Sequence, residues 1–179
     1  ILERHVKFKV IAEGLCLPDV PEEVIARYPT IVAGIQGLRE AGFGILVKDA
    51  SLGGHYPVMC VTMLNPHDQG VFASFGAHPR FEIALERALT ELLQGRALEA
   101  LDGFPPPGFD LEEVASAPNI EIHFVDSSGI VHWNFFNENA DFAFVDWNFN
   151  NLENGKTADD YAWLAERIHA DGHDIYVAD

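Results

Sequence analysis

Arg87, Glu91 and Gln94 stand four and three positions apart, a spacing that on an α-helix sets a guanidinium, a carboxylate and an amide in one row. In such a row the carboxylate suits Mg²⁺ and the guanidinium suits phosphate oxygens. Ala84, Ala88 and Gly95 flank it and are small enough to let something approach the helix closely. Just upstream, the run SFGAHP at 74–79 predicts a glycine-containing turn before the helix, where free backbone amides receive anions. The same spacing also describes a solvated face carrying an Arg–Glu pair, which is the commoner origin of such a row. Glu3, followed by Arg4, is a further acid whose position alone marks only an exposed helix residue.

Other chemistries find less support. The eight histidines are scattered; His169 and His173 stand four apart, but Gly172 between them marks a helix end, and no H-E-x-x-H pattern occurs. That argues against a metal-dependent hydrolase built on Glu91 and nearby histidines. No P-loop, G-x-G-x-x-G or G-x-S-x-G is present, which removes the common ATPase, dinucleotide and hydrolase signatures. Cys16 and Cys60 form no C-x-x-C pair and read as buried thiols. Trp133, Phe135, Phe136, Phe142, Phe144, Trp147 and Phe149 crowd one segment, where aromatics more often build core than line a groove.

The row needs a helix to carry it, and residues 79–98 are the best helical stretch in the chain, opening on Pro79 and unbroken until Gly95. Phe81, Leu85, Ala88, Leu89 and Leu92 give it one apolar face. Upstream, residues 1–14 read as the end of a helix, and 22–41 as a helix interrupted before Pro29 and closed by Gly42. GILVKDAS, PVMCVTML and VFASFG, separated by short turns, predict an antiparallel meander. Residues 103–108, GFPPPG, predict an exposed, extended linker. Beyond it IEIHFV alternates like a strand, and 111–155 is otherwise hard to read.

The helix at 30–41 leads into Gly42, Ile45, Val47 and Asp49, while that at 158–170 leads into Gly172, Ile175, Val177 and Asp179. The match is either a duplicated helix-strand-strand unit or what any capped amphipathic helix before a buried strand produces. The expected class is α+β, a largely antiparallel or mixed sheet packed by long helices. One domain over 1–179 divides into a first helix–sheet unit at 1–98, an insertion-like region at 99–156 and the start of a second helix–strand unit at 157–179. Because Ile1 opens inside a helix, the chain is expected to be a segment of a longer domain, with pairing between copies at its exposed edges.

The 179 residues suffice for one core, and 48 % hydrophobic content with 22 % charged residues is globular. Lys plus Arg is 11 against 28 Asp plus Glu, a net charge of -17, which disfavours both nucleic acid and anionic membrane as partners. No apolar run is long enough to span a bilayer and no signal-like segment opens the chain, so a cytoplasmic location is expected.

FASFGAHPRFEIALERALTELLQGR, with its A-x-x-R-A-x-x-E-x-x-Q core at Ala84, Arg87, Ala88, Glu91 and Gln94, resembles the signature helix of the YcaO family. ILERHVK is similar to the end of that family's S-E-x-x-E-R helix, of which Glu3 and Arg4 are present. DASLGG, YPV and HFVDSSG resemble its subgroup associated with β-methylthiolation of an aspartate in a small-subunit ribosomal protein. The resemblance implies an ATP-binding fold without a P-loop and use of Mg-ATP to phosphorylate a backbone amide oxygen. It implies Glu3 and Glu91 as Mg²⁺ ligands, with Arg87 and Gln94 near the nucleotide. The implied partners are a protein or peptide substrate, a ribosomal protein or its methylthiotransferase. With the first glutamate of the second motif lying before Ile1, residues 1–179 alone are expected to be catalytically inert. The alternative is a non-catalytic peptide- or protein-binding module using the aromatic region 131–149.

Overall fold

A computed structural model describes residues 1–93, 96–147 and 157–176. The central strand of its three-stranded antiparallel sheet is covered on both faces. The sheet comprises β1 (Gly44–Asp49), β2 (Val58–Leu64) and β3 (Val71–Ala77), in the order β1-β2-β3. The register pairs Lys48 with Cys60 and Cys60 with Phe75. Because side chains alternate along a strand, β2 sends Met59, Val61 and Met63 into one core and Val58 and Cys60 into another. That explains its near-continuous apolar sequence.

On the first face lie α2 (Glu22–Ile25), α3 (Pro29–Glu40) and α4 (Phe81–Leu93). Ile31, Ile35 and Leu38 of α3 join Phe81, Leu85 and Leu92 of α4 over Phe72 and Val61. Pro29 starts α3 at a position where its missing N–H costs nothing. The opposite face is covered by α1 (Leu2–Glu13), whose Val6, Val10 and Ile11 pack with Phe75, and by α5 (Leu111–Val114) through Val114. α1 ends on Gly14 at φ 62, a left-handed cap that glycine adopts without strain. Then come α6 (Ala117–Val125) and α7 (Thr157–Ala170).

The α+β class, the meander and the helical stretches agree with the sequence, except that α4 begins at Phe81, beyond Pro79, while Gln94 and Gly95 of the expected 79–98 helix lie outside the described residues. Three details differ. IEIHFV is part of α6, not a strand: Pro118 lies in its first turn, and Asn119 and His123, one turn apart, are its buried residues. The 103–108 stretch is extended but not wholly exposed, since Phe104 is buried with its ring centroid 4.8 Å from that of Phe72, and the Pro105 carbonyl accepts from the Val71 amide. Gly76 lies within β3 rather than in a turn. Of the duplicated-unit comparison, 173–176 carry no strand, and Val177 and Asp179 fall outside the described residues.

The region after α4 is tied to the sheet by side chains from distant sequence. Asp49, buried at the end of β1, accepts from the Ser51 amide, the Val145 amide and the Trp147 indole N–H. Asp141 accepts from the Cys16 amide at 2.7 Å.

Candidate functional site

The row on α4 owes its exposure to what the other side of the helix does. Ala84 and Ala88 are fully buried against β3. A Cβ on Gly76 would come within 2.3 Å of the Ala84 carbonyl oxygen and 2.5 Å of the Ala88 amide nitrogen. Ser74 Oγ donates to the Ala88 carbonyl at 2.5 Å. Ala84 and Ala88 therefore admit the strand, and it is β3 that approaches the helix closely there. Seating α4 so deeply fixes which side turns outward.

That outward side carries Arg87, whose Nη2 lies 3.6 Å from Glu3 Oε2 across the gap to α1. Glu3 Oε2 also accepts from the Ala77 amide at 3.3 Å, anchoring the start of α1 to the end of β3. Glu91 stands one turn beyond Arg87, and its carboxylate and that of Glu3 both favour the charged form of Lys7. The structure thus brings Glu3, Arg87 and Glu91 into one neighbourhood. Gln94 and Gly95 lie outside the described residues.

Lys7 is only 7 % exposed. Its ammonium donates to the His123 carbonyl at 2.5 Å and to Ser127 Oγ at 2.6 Å, and lies 5.8 Å from the Phe75 ring centroid. Burial lowers its pKa to about 8, against the pull of Cys60, Glu3 and Glu91.

Glu3 and Arg87 also line a cleft of about 610 Å³ with His78, Arg80, Leu164 and Ile168, bounded on one side by α7. His78 Nδ1 accepts from the Arg80 amide at 3.0 Å, so one amide ahead of α4 is already occupied. Its Nε2 faces buried Asp160 of α7 at 3.6 Å. Desolvation holds the His78 pKa below its ordinary value; Asp160 opposes the shift, and the positive charges of Arg80 and Arg87 add to it. His78, Lys7, Arg80 and Asp160 escaped the sequence reading. Arg80 carried a usable signal, since a cation immediately before a helix opposes the macrodipole.

The remaining candidates separate cleanly. Phe135 and Trp147 are core residues in different clusters, Trp133 is 41 % exposed, Phe142 is half-buried, and Phe136 and Phe144 pack at core edges. Phe149 lies outside the described residues. His169 Nδ1 donates to the His173 carbonyl at 3.1 Å. Among the described residues no group of three or more His, Cys, Asp or Glu side chains could hold a metal. Both cysteines are buried and free, and burial pushes the Cys60 thiol up to about 12. No helix among the described residues is long and apolar enough to cross a membrane.

A family model described as YcaO cyclodehydratase, ATP- and Mg²⁺-binding, matches residues 1–179. The chain belongs to the YcaO family. It is 50 % identical over 179 residues to the ribosomal protein S12 methylthiotransferase accessory factor YcaO of Escherichia coli (strain K12). It is also 50 % identical to an uncharacterized protein of Haemophilus influenzae. In both cases all of this chain aligns with 30 % of the relative, so it spans under a third of their length. The heterocyclase TruD has a similar fold, with a TM-score of 0.55 at 15 % identity over 96 % of this chain and 22 % of the other. A heterocyclase in complex with substrate and cofactor gives a TM-score of 0.53, also at 15 % identity and with the same coverage. These structural likenesses establish the fold.

Proposed function

We propose that residues 1–179 supply part of the Mg-ATP site of a YcaO protein that activates backbone amides by phosphorylation. The observation that carries this reading is the meeting of Glu3 from α1 with Arg87 from α4, at 3.6 Å, beside Glu91 and at the edge of the cleft. The donor set fits the group. Mg²⁺ is commonly held by one or two carboxylates together with phosphate oxygens and water, and Glu3 and Glu91 provide two hard oxygen ligands. Bound Mg-ATP would supply the phosphoryl group. Arg87 would exchange its carboxylate partner for phosphate oxygen, and Gln94, three positions beyond Glu91 in the sequence, would contribute its amide near the nucleotide. Such chemistry depends mainly on positioning and charge neutralisation, which residues on packed helices can provide.

The 50 % identity to an accessory factor of ribosomal protein S12 methylthiotransferase supports the same subgroup for this chain. A protein substrate, the ribosomal protein or its methylthiotransferase, is then the partner. Turnover is expected from the protein at its natural full length, and appreciable turnover by residues 1–179 alone would count against this reading. The competing module built on the aromatics at 131–149 loses Phe135 and Trp147 to the core, so truncating either would unfold rather than merely weaken binding.

Thermal unfolding of the full-length protein with and without Mg-ATP tests the proposal. At about 100 times the dissociation constant, ligand stabilises by roughly 2.7 kcal/mol. The shift should vanish in Glu91→Gln; absence of any shift in the wild type rules the nucleotide site out.

A further inference from the structure

Arg80 is electrostatically misplaced unless something anionic joins it. Its carbonyl accepts from the Ala84 amide, so it sits at the N-terminal cap of α4, whose dipole presents partial positive charge. The neighbouring cationic charge of Arg87 is felt, like that of Arg80, at His78. In a chain of net charge -17, no carboxylate among the described residues lies within ion-pair distance of Arg80. Its Nε is moreover buried without a hydrogen-bond partner, while the residue lines the cleft shared by Arg87 and Glu3. Arg27, by contrast, has its Nη1 2.8 Å from Asp146. Buried donors are normally paired, and here the orphan belongs to a guanidinium side chain that lines the cleft, where a ligand oxygen can complete its partners.

We infer that Arg80 is a phosphate-binding residue of this cleft, forming with Arg87 a two-guanidinium clamp on the polyphosphate of a nucleotide. The inference rests on the nucleotide reading above and adds to it a residue from outside the polar row. Planar guanidinium forks hold phosphate oxygens through two parallel hydrogen bonds, which a lysine in the same place does not reproduce. The apolar side of the cleft, formed by Leu164 and Ile168 of α7, limits water around the clamp and strengthens it.

Calorimetric titration of the full-length protein with Mg-ATP, adenosine and inorganic phosphate tests this in the wild type, Arg80→Met and Arg80→Lys. Arg80→Met should weaken Mg-ATP binding by about tenfold or more, leave adenosine binding unchanged, and not lower the unfolding temperature without ligand. Arg80→Lys, which keeps the charge but lacks Nε, should lose affinity severalfold, and it decides the matter if the methionine variant does not fold. Wild-type affinity in the folded variants overturns the role of Arg80 while leaving the nucleotide reading intact. So does a loss confined to inorganic phosphate. A wild type that binds neither Mg-ATP nor phosphate overturns both.

Discussion

Two polar regions border α1, and they differ in how completely their groups are satisfied. At the junction with α6, Lys7 holds the His123 carbonyl and Ser127 Oγ. There, too, the Asn119 amide nitrogen donates to the carbonyls of Val114 and Ile130, while its oxygen accepts from the Ile130 amide. His123 Nε2 donates to the Ile130 carbonyl at 3.0 Å. Little is left over beyond His123 Nδ1. At the cleft, Arg87 and Glu3 make a single long contact, the Arg80 guanidinium makes no ion pair among the described residues, and His78 faces Asp160 beyond hydrogen-bonding distance. Closed networks of this kind specify a fold, whereas unpaired charge is kept where something else must bind.

The largest test of that contrast removes a member of the closed region. Asn119→Ala leaves several buried backbone groups without partners and should destabilise the 117–131 segment by about 3 kcal/mol, read as faster amide hydrogen exchange there. Protection at the wild-type level would mean that the region is not closed.

Acid should loosen the same region next. Burial lowers the His123 pKa from 6.5 to about 4. Between those values the unfolded chain binds the additional proton, so stability falls as pH drops from 6.5 towards 4, by about 3 kcal/mol at most. Exchange of 117–131 followed across that range should show it, and His123→Gln should flatten the profile.

Lys7 gives the alkaline counterpart. With its pKa near 8 in the folded protein against 10.5 for the free side chain, the unfolded chain holds the extra proton between these values. Local stability therefore rises as pH climbs from 8 to 10.5, and Lys7→Met should abolish the rise. A wild-type profile that stays flat over this interval would place the ammonium in water.

The smallest stability effect belongs to the open region. Arg87→Gln breaks an ion pair whose arginine side chain is 51 % exposed and should change stability by less than about 1 kcal/mol, while Mg-ATP affinity falls steeply. An unfolding temperature that drops as far as the affinity would erase the distinction between the two regions.

What could be read from the sequence follows the same line. Helices such as α4 and the strands around Cys60 announce themselves through local periodicity and turn residues, and the row at Arg87 and Glu91 is a local spacing too. IEIHFV misled because its alternation is genuine; the deciding signals were Ser116 at the cap and Pro118 in the first turn. The packing of 98–147 depends on contacts such as Asp49 with Trp147 and Cys16 with Asp141, between residues far apart in sequence, which no local pattern encodes. Arg80 lay between these cases: its position against the helix dipole was visible, but its missing partner appears only in three dimensions.

Trp147 closes off one end of this arrangement. Its indole N–H is held by Asp49, and its ring meets that of Phe81, the first residue of α4, edge-on at a centroid distance of 5.1 Å. Of the three tryptophans it is the buried one. With Trp133 and Trp163 replaced by phenylalanine, its emission would therefore be an intrinsic optical gauge of the start of the helix that carries Arg87 and Glu91.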